Sequence, residues 1–148
     1  MARNEAVSMS EYQANSVINQ VLEAVMDLMN ATNPFATVTR GALPTGPGLT
    51  CEIGPSRSET AYMTKNSYVP LSVVMNGKNA SLETLSDAMN NIHSVLTRRR
   101  EYPEDPAGNR WQITDIQTTM FPRVIGREDN NDWLMASVLS VNFYWRGD

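Results

Sequence analysis

This chain holds very little of the material from which active sites are built. It carries one cysteine, Cys51, and one histidine, His93, in 148 residues. A single cysteine excludes an internal disulfide and an all-cysteine metal site, and it fits a reducing, cytosolic folding environment. No G-x-S-x-G elbow is present to serve as a nucleophile for His93, and His93 lies off the apolar stripe of its helix, where an exposed or interfacial position is expected. No G-K-[ST] follows Gly46-Pro47-Gly48, so that loop is no phosphate cradle. The acidic stretch Glu128-Asp129-Asn130-Asn131-Asp132 lacks the glycine and the distal glutamate of a calcium loop. Together with Glu104-Asp105 it reads as a solvated turn.

Basic excess is missing too. The net charge is −4 and the isoelectric point is near 5.0, whereas a dedicated nucleic-acid-binding domain typically lies above about 9. No segment approaches the ~18 consecutive apolar residues of a membrane span. The opening Met1-Ala2-Arg3-Asn4-Glu5 lacks the apolar run of a signal peptide. No catalytic site, cofactor site or metal site is expected.

What is present is a pattern of scaffold elements. Residues 1–9 read as a lead-in and 10–148 as one domain, long enough to bury about 68–70% of its unfolded surface. Ser10 with Gln13 forms a capping box, and Val17, Ile18, Val21, Leu22, Val25, Leu28 and Met29 keep helical spacing to Asn30. Asn33-Pro34 ends that helix. Short strands are expected at Phe35–Thr39 and at Leu49–Ile53, with Cys51 as a small buried hydrophobe on the face of Leu49 and Ile53. Gly54–Asn66 is polar and broken, with Thr60–Thr64 either pairing in a hairpin arm or staying mobile.

Tyr68–Met75 is β-branched and apolar, and Asn76-Gly77-Lys78-Asn79 carries a turn signal. Ser81 then stands at a helix N-cap, ahead of Leu82, Leu85, Met89, Ile92 and Leu96 on one helical face. Arg98-Arg99-Arg100 closes the helix, where cations complement its dipole. A loop over Tyr102–Gly108 leads into Trp111–Phe121, an alternating strand whose parity slips, so that a β-bulge is expected near Thr114-Asp115. After a charged turn at Gly126–Asp132 comes the longest strand, Trp133–Trp145, apolar on both faces. Such a strand is central, or is covered by helix on one side and by a partner on the other. The expected fold is α+β, order α-β-β-β-α-β-β, with a mainly antiparallel sheet and two amphipathic helices packed on it. The nine methionines include Met26, Met29, Met75, Met89, Met120 and Met135 at apolar-face positions, which fill the core.

Several of these features occur in an order that resembles one known group. Asn76-Gly77 after a strand, the Ser81-capped helix ending in basic residues, Tyr102-Pro103, Trp111-Gln112-Ile113, Pro122 and the terminal Asn142-Phe143-Tyr144-Trp145 are similar in layout to the tail-terminator, or minor capsid, proteins of long-tailed bacteriophages. The resemblance runs from Ser10 to the C-terminus. It implies a non-enzymatic virion protein at the head–tail junction, assembled in the host bacterial cytoplasm as a homo-oligomer, a six-membered ring. Its implied partners are the major tail tube protein, which the ring caps, and a head-completion or neck protein, with packaged DNA nearby and no membrane. The alternative is another connector, such as a neck or head-completion protein, or a tail-tube subunit. Because loops carry contacts without disturbing a core, the partner-contact candidates are Arg98, Arg99, Arg100, Arg123 and Arg127, with the polar segments Gly54–Asn66 and Gly126–Asp132 as further candidates.

Overall fold

The computed structural model describes residues 9–54, 67–106 and 110–146. Its elements are α1 (Met9–Asn30), β1 (Val38–Arg40), β2 (Gly48–Ile53), β3 (Ser67–Asn79), α2 (Leu82–Thr97), β4 (Trp111–Arg127) and β5 (Trp133–Trp145). They follow the order read from the sequence and form an α+β fold. The strands make one sheet in the order β1-β2-β3-β5-β4. β1 lies parallel to β2, and every other neighbouring pair is antiparallel.

The two-sided apolar pattern of β5 is explained by its place between β3 and β4. Met135, Leu139, Val141, Phe143 and Trp145 are buried and belong to a contiguous core with Val21, Val25 and Met29 of α1 and Leu85, Met89, Ile92 and Leu96 of α2. The opposite face, Leu134, Ala136, Val138 and Tyr144, is half-buried. Tyr68 and Tyr144, paired across β3 and β5, meet there with ring centroids 4.9 Å apart and planes tilted by 57°. Cys51 is fully buried, as its alternation predicts. Of the six methionines expected inside, Met29, Met75, Met89 and Met135 are buried, while Met26 and Met120 are partly so.

Four boundaries differ from the sequence reading. β1 begins not at Phe35 but at Val38, where the Asn30 side chain bonds both backbone groups of Val38, and three others differ as follows. β3 runs straight through Asn76-Gly77 to Asn79, and all 13 of its residues pair with β5. The glycine serves close packing instead of a turn: a Cβ at position 77 would lie 2.6 Å from Leu85 Cδ1 and 2.9 Å from Met89 Sδ. β4 continues past Phe121 and Pro122 to Arg127, so the connecting turn shrinks to residues 128–132. Proline is tolerated there because β4 is an edge strand. α1 begins at Met9, so Ser10 lies inside the helix and not at its cap. Thr60–Thr64 falls outside the described residues.

The bulge expected near Thr114-Asp115 is present between Ile113 and Asp115. Three further shifts follow along β4, which uses 17 residues against the 13 of β5. Ser81 caps α2, its Oγ accepting the Thr84 N–H at 3.2 Å. The helix ends at Thr97, with Arg98 at the C-cap, so the arginine triplet follows the last turn and does not lie in it.

Candidate assembly surfaces

The one histidine and the one cysteine are both buried in the fold. His93 is buried, contrary to the exposed or interfacial position expected. Its Nδ1 lies 2.8 Å from Thr118 Oγ1 and its Nε2 lies 2.8 Å from Ser137 Oγ. One ring nitrogen donates and the other accepts, tying α2 to β4 and β5. Burial pulls its pKa down to about 4, so the imidazole is neutral at pH 7. Ser137 is fully buried, so no substrate reaches its hydroxyl, and both His93 contacts are hydroxyls where a triad needs a carboxylate. The Cys51 thiol, desolvated in the core, is pushed up to about 12, which removes it as a nucleophile at neutral pH. Among the described residues no cluster of three or more His, Cys, Asp or Glu is arranged to hold a metal.

The two acidic stretches read as solvated turns are not uniformly solvated. Asp105 is buried and accepts both the backbone N–H of Arg110 at 3.1 Å and its Nε–H at 3.3 Å. Asp105 N–H also donates to the Trp111 carbonyl, and Ile113 N–H to the Pro103 carbonyl. Residues 103–105 thereby lie antiparallel to the start of β4, with a bridge between Glu104 and Gln112. Asp132, also buried, holds the β4–β5 turn through the bond of Glu128 N–H to its carbonyl. Lys78 is buried on the sheet beneath this turn and donates from Nζ to Glu128 at 3.2 Å.

The surfaces left over are concentrated on β4. Its N-terminal part is shielded by residues 103–105, but beyond the first bulge its outer edge has no strand beside it among the described residues. At Met120–Arg123 two residues, Phe121 and Pro122, bulge against one on β5. Phe121 is 72% exposed, and Val124 and Ile125 are 44% and 51% exposed. By contrast the other edge strand, β1, is three residues long and clamped to β2 by the bidentate Arg40–Glu52 pair at 2.9 Å.

The arginine candidates fall into three settings. Arg98 joins Phe121, Asn90 and Asp115 around a groove of about 470 Å³ between α2 and β4. Arg99 and Arg100 are exposed beyond it, and Arg99 Nε donates to the Glu101 carbonyl at 3.0 Å. Arg123 is exposed beside Phe121. Arg127, at the end of β4, packs its guanidinium 4.3 Å above the Trp133 ring and donates to the Asn131 carbonyl at 3.4 Å. Sequence reasoning found the arginines but missed their neighbours Phe121, Val124 and Ile125. Their apolar run Phe121–Ile125, broken by Pro122 and Arg123, was the available signal.

A second groove, of about 490 Å³, lies between α1 and the 103–106 segment. Ala24, Pro103 and Pro106 line it, and the carboxylates of Glu23, Asp27 and Glu104 stand around it. Among the described residues no ion pair closes on these three acids. No helix among the described residues is long and apolar enough to cross a membrane.

No protein-family model and no curated protein matches the chain. A chain in the solved "Virion of native gene transfer agent (GTA) particle" shares its fold, with a TM-score of 0.56 at 14% sequence identity. The likeness covers 82% of this chain and 92% of that one. At this identity it is a likeness of fold.

Proposed function

We propose that this chain is a non-enzymatic structural component of a phage-like virion, assembling into a closed homo-oligomeric ring that caps the tail tube and joins it to the head. The observation that carries the proposal is the fold held in common with a chain of a gene transfer agent virion across 92% of that chain. The layout of the sequence elements, which resembles tail terminators, supports the same reading. So does the distribution of surface: His93 and Cys51 are buried, while a strand edge with no neighbour among the described residues and exposed apolar side chains remain on β4. A closed ring requires head-to-tail contacts between different patches of each subunit.

A neck or head-completion protein, or a tail-tube subunit, is the second reading. The edge of β4, unpaired among the described residues, favours it too, because strand addition at an open edge serves any repeating assembly. Copy number in purified particles separates the two. A terminator ring contributes a single ring of copies per particle, and its deletion yields tails of uncontrolled length that fail to join heads. A copy number scaling with tail length, or normal tails without the chain, contradicts the terminator assignment.

A further inference from the structure

Two surfaces along β4, one in each half, are complementary in charge and in apolar character. At the far end, the outer half of the β4–β5 hairpin presents Phe121, Val124 and Ile125 with Arg123 among them. At the near end, beside Trp111, lies the groove lined by Ala24, Pro103 and Pro106 and surrounded by Glu23, Asp27 and Glu104. Arg123 and Val124 pair with Ala136 and Met135, nine and ten residues along β5 from Trp145, the partner of Trp111, so the two surfaces lie about 30 Å apart at about 3.3 Å per residue. We infer that the Phe121–Ile125 patch of one copy, and not the acidic turn Glu128–Asp132 at the hairpin tip, docks into the acidic groove of the next, so that this pair of surfaces is the subunit contact of the ring. The inference rests on the ring reading and names the surfaces that make it.

The occupant is a second copy on three grounds. First, the charges match: Glu23, Asp27 and Glu104 stand around the groove and close no ion pair among the described residues, and Arg123 is exposed among the apolar side chains of β4. Second, the apolar parts match: Phe121, Val124 and Ile125 are large side chains left in water, and burying them against Ala24, Pro103 and Pro106 is favourable. Third, the placement matches. Donor and acceptor surfaces in the two halves of one strand leave each subunit with one free of each after the first contact, the head-to-tail arrangement that a ring requires and that closes when the rotation between neighbours allows it. The Arg127–Trp133 stack and the Lys78–Glu128 pair stiffen the hairpin, which lowers the ordering cost of such an insertion.

The test uses the full chain, concentrated in solution and incorporated in purified particles. Glu23→Cys with Val124→Cys in one chain should form intermolecular disulfides on oxidation, running as a ladder beyond dimer. Buried Cys51 does not compete. Either cysteine alone should give none of this ladder. Separately, Glu23→Lys with Asp27→Lys, and Arg123→Glu, should each weaken self-association by about tenfold or more, and the three together should recover to within about threefold of wild type. Circular dichroism and thermal melting of every variant must match wild type for the comparison to stand, since all four positions are on the surface. A wild-type oligomer indifferent to these changes, or a ladder stopping at dimer, overturns the docking and leaves a ring built on other surfaces. A wild type that is monomeric both in concentrated solution and in particles overturns the docking together with the ring.

Discussion

Gly77 of β3 and Leu85 of α2 meet so closely that any Cβ on the glycine would stand 2.6 Å from Leu85 Cδ1. Both residues are buried, and Met89 Sδ and Leu49 Cδ2 close the other sides of the same space at 2.9 and 3.0 Å. The contact sets how near α2 lies to the centre of the sheet. Gly77→Ala is therefore expected to destabilise by about 1–3 kcal/mol, the usual cost of adding volume to a packed core. Leu85→Ala and Ile92→Ala on the same helix should cost about 2–5 kcal/mol through lost burial. Urea denaturation measures all three. A Gly77→Ala protein as stable as wild type would mean that Leu85 and Met89 have room to retreat.

His93 makes stability depend on pH. Its folded-state pKa is lowered from 6.5 to about 4 because burial disfavours the charged ring. Between these values the unfolded chain binds a proton that the native chain does not, so stability rises with pH. The contribution is fully present above about pH 6.5 and is lost as pH falls toward 4, at up to about 1.4 kcal/mol per pH unit. Carboxylates titrate at the lower end of this window, so the diagnostic range is pH 5–6.5. His93→Gln should flatten the urea midpoint there while lowering it at pH 7, and assembly should survive wherever the variant folds. An unchanged pH slope would show that the ring is not titrating as its burial requires.

How much of this was legible beforehand depended on whether a local rule agreed with the tertiary context. The helical stripes of α1 and α2 and the two-faced pattern of β5 were legible because period and burial coincide there. The bulge at Thr114 was legible because Ile113 and Ile116 fall on opposite parities yet both need the core. Asn76-Gly77 misled because a dipeptide rule competes with a long ladder: pairing with Met135 and Ala136 continues the strand, and the helix above needs a residue without a side chain. His93 was read as exposed because the stripe was drawn too narrow. It follows Met89 by four and precedes Leu96 by three, and it faces the hydroxyls of Thr118 and Ser137 on the sheet. The acidic groove joins residues far apart in sequence, Glu23 and Glu104, and no periodicity reports such a meeting.

The Lys78–Glu128 pair is asymmetric. The lysine side chain is 5% exposed and the glutamate 38%, so removing the carboxylate leaves an ammonium in a nearly dry site. Glu128→Ala should cost about 1–3 kcal/mol, the desolvation penalty of an unsatisfied buried donor. Lys78→Met keeps the buried stem and removes the charge, and should be close to neutral. Thermal melting of the two single variants and the double variant decides this, and the double should resemble Lys78→Met alone. Equal losses from both single variants would mean that the pair is held for its attraction and not for its burial.

The arginines now divide into those that hold the fold and those that are free to hold a partner. Arg127 stacks on Trp133 and bonds to the Asn131 carbonyl. Reversal there removes a cation–π contact that is worth about 0.5–1 kcal/mol at exposed sites, and it places a carboxylate near Glu128 and Asp129. Arg127→Glu is therefore expected to lower the melting temperature measurably. Arg123 and the Arg98–Arg100 run are exposed, and surface charge changes usually stay within about 0.5 kcal/mol. Arg123→Glu, and the triple reversal of Arg98, Arg99 and Arg100, should leave circular dichroism and melting near wild type. Both should reduce tube capping or head joining, since like charges opposed across a contact cost several kcal/mol. Arg98 shares its groove with Phe121, so within the triplet Arg98→Glu alone should produce most of the loss. Arg99→Glu with Arg100→Glu as damaging as the triple change would place the contact beyond the helix end instead. Tails of normal length and normal joining from every one of these variants would remove the basic positions from the interface and leave the uncharged side chains of β4 to make it.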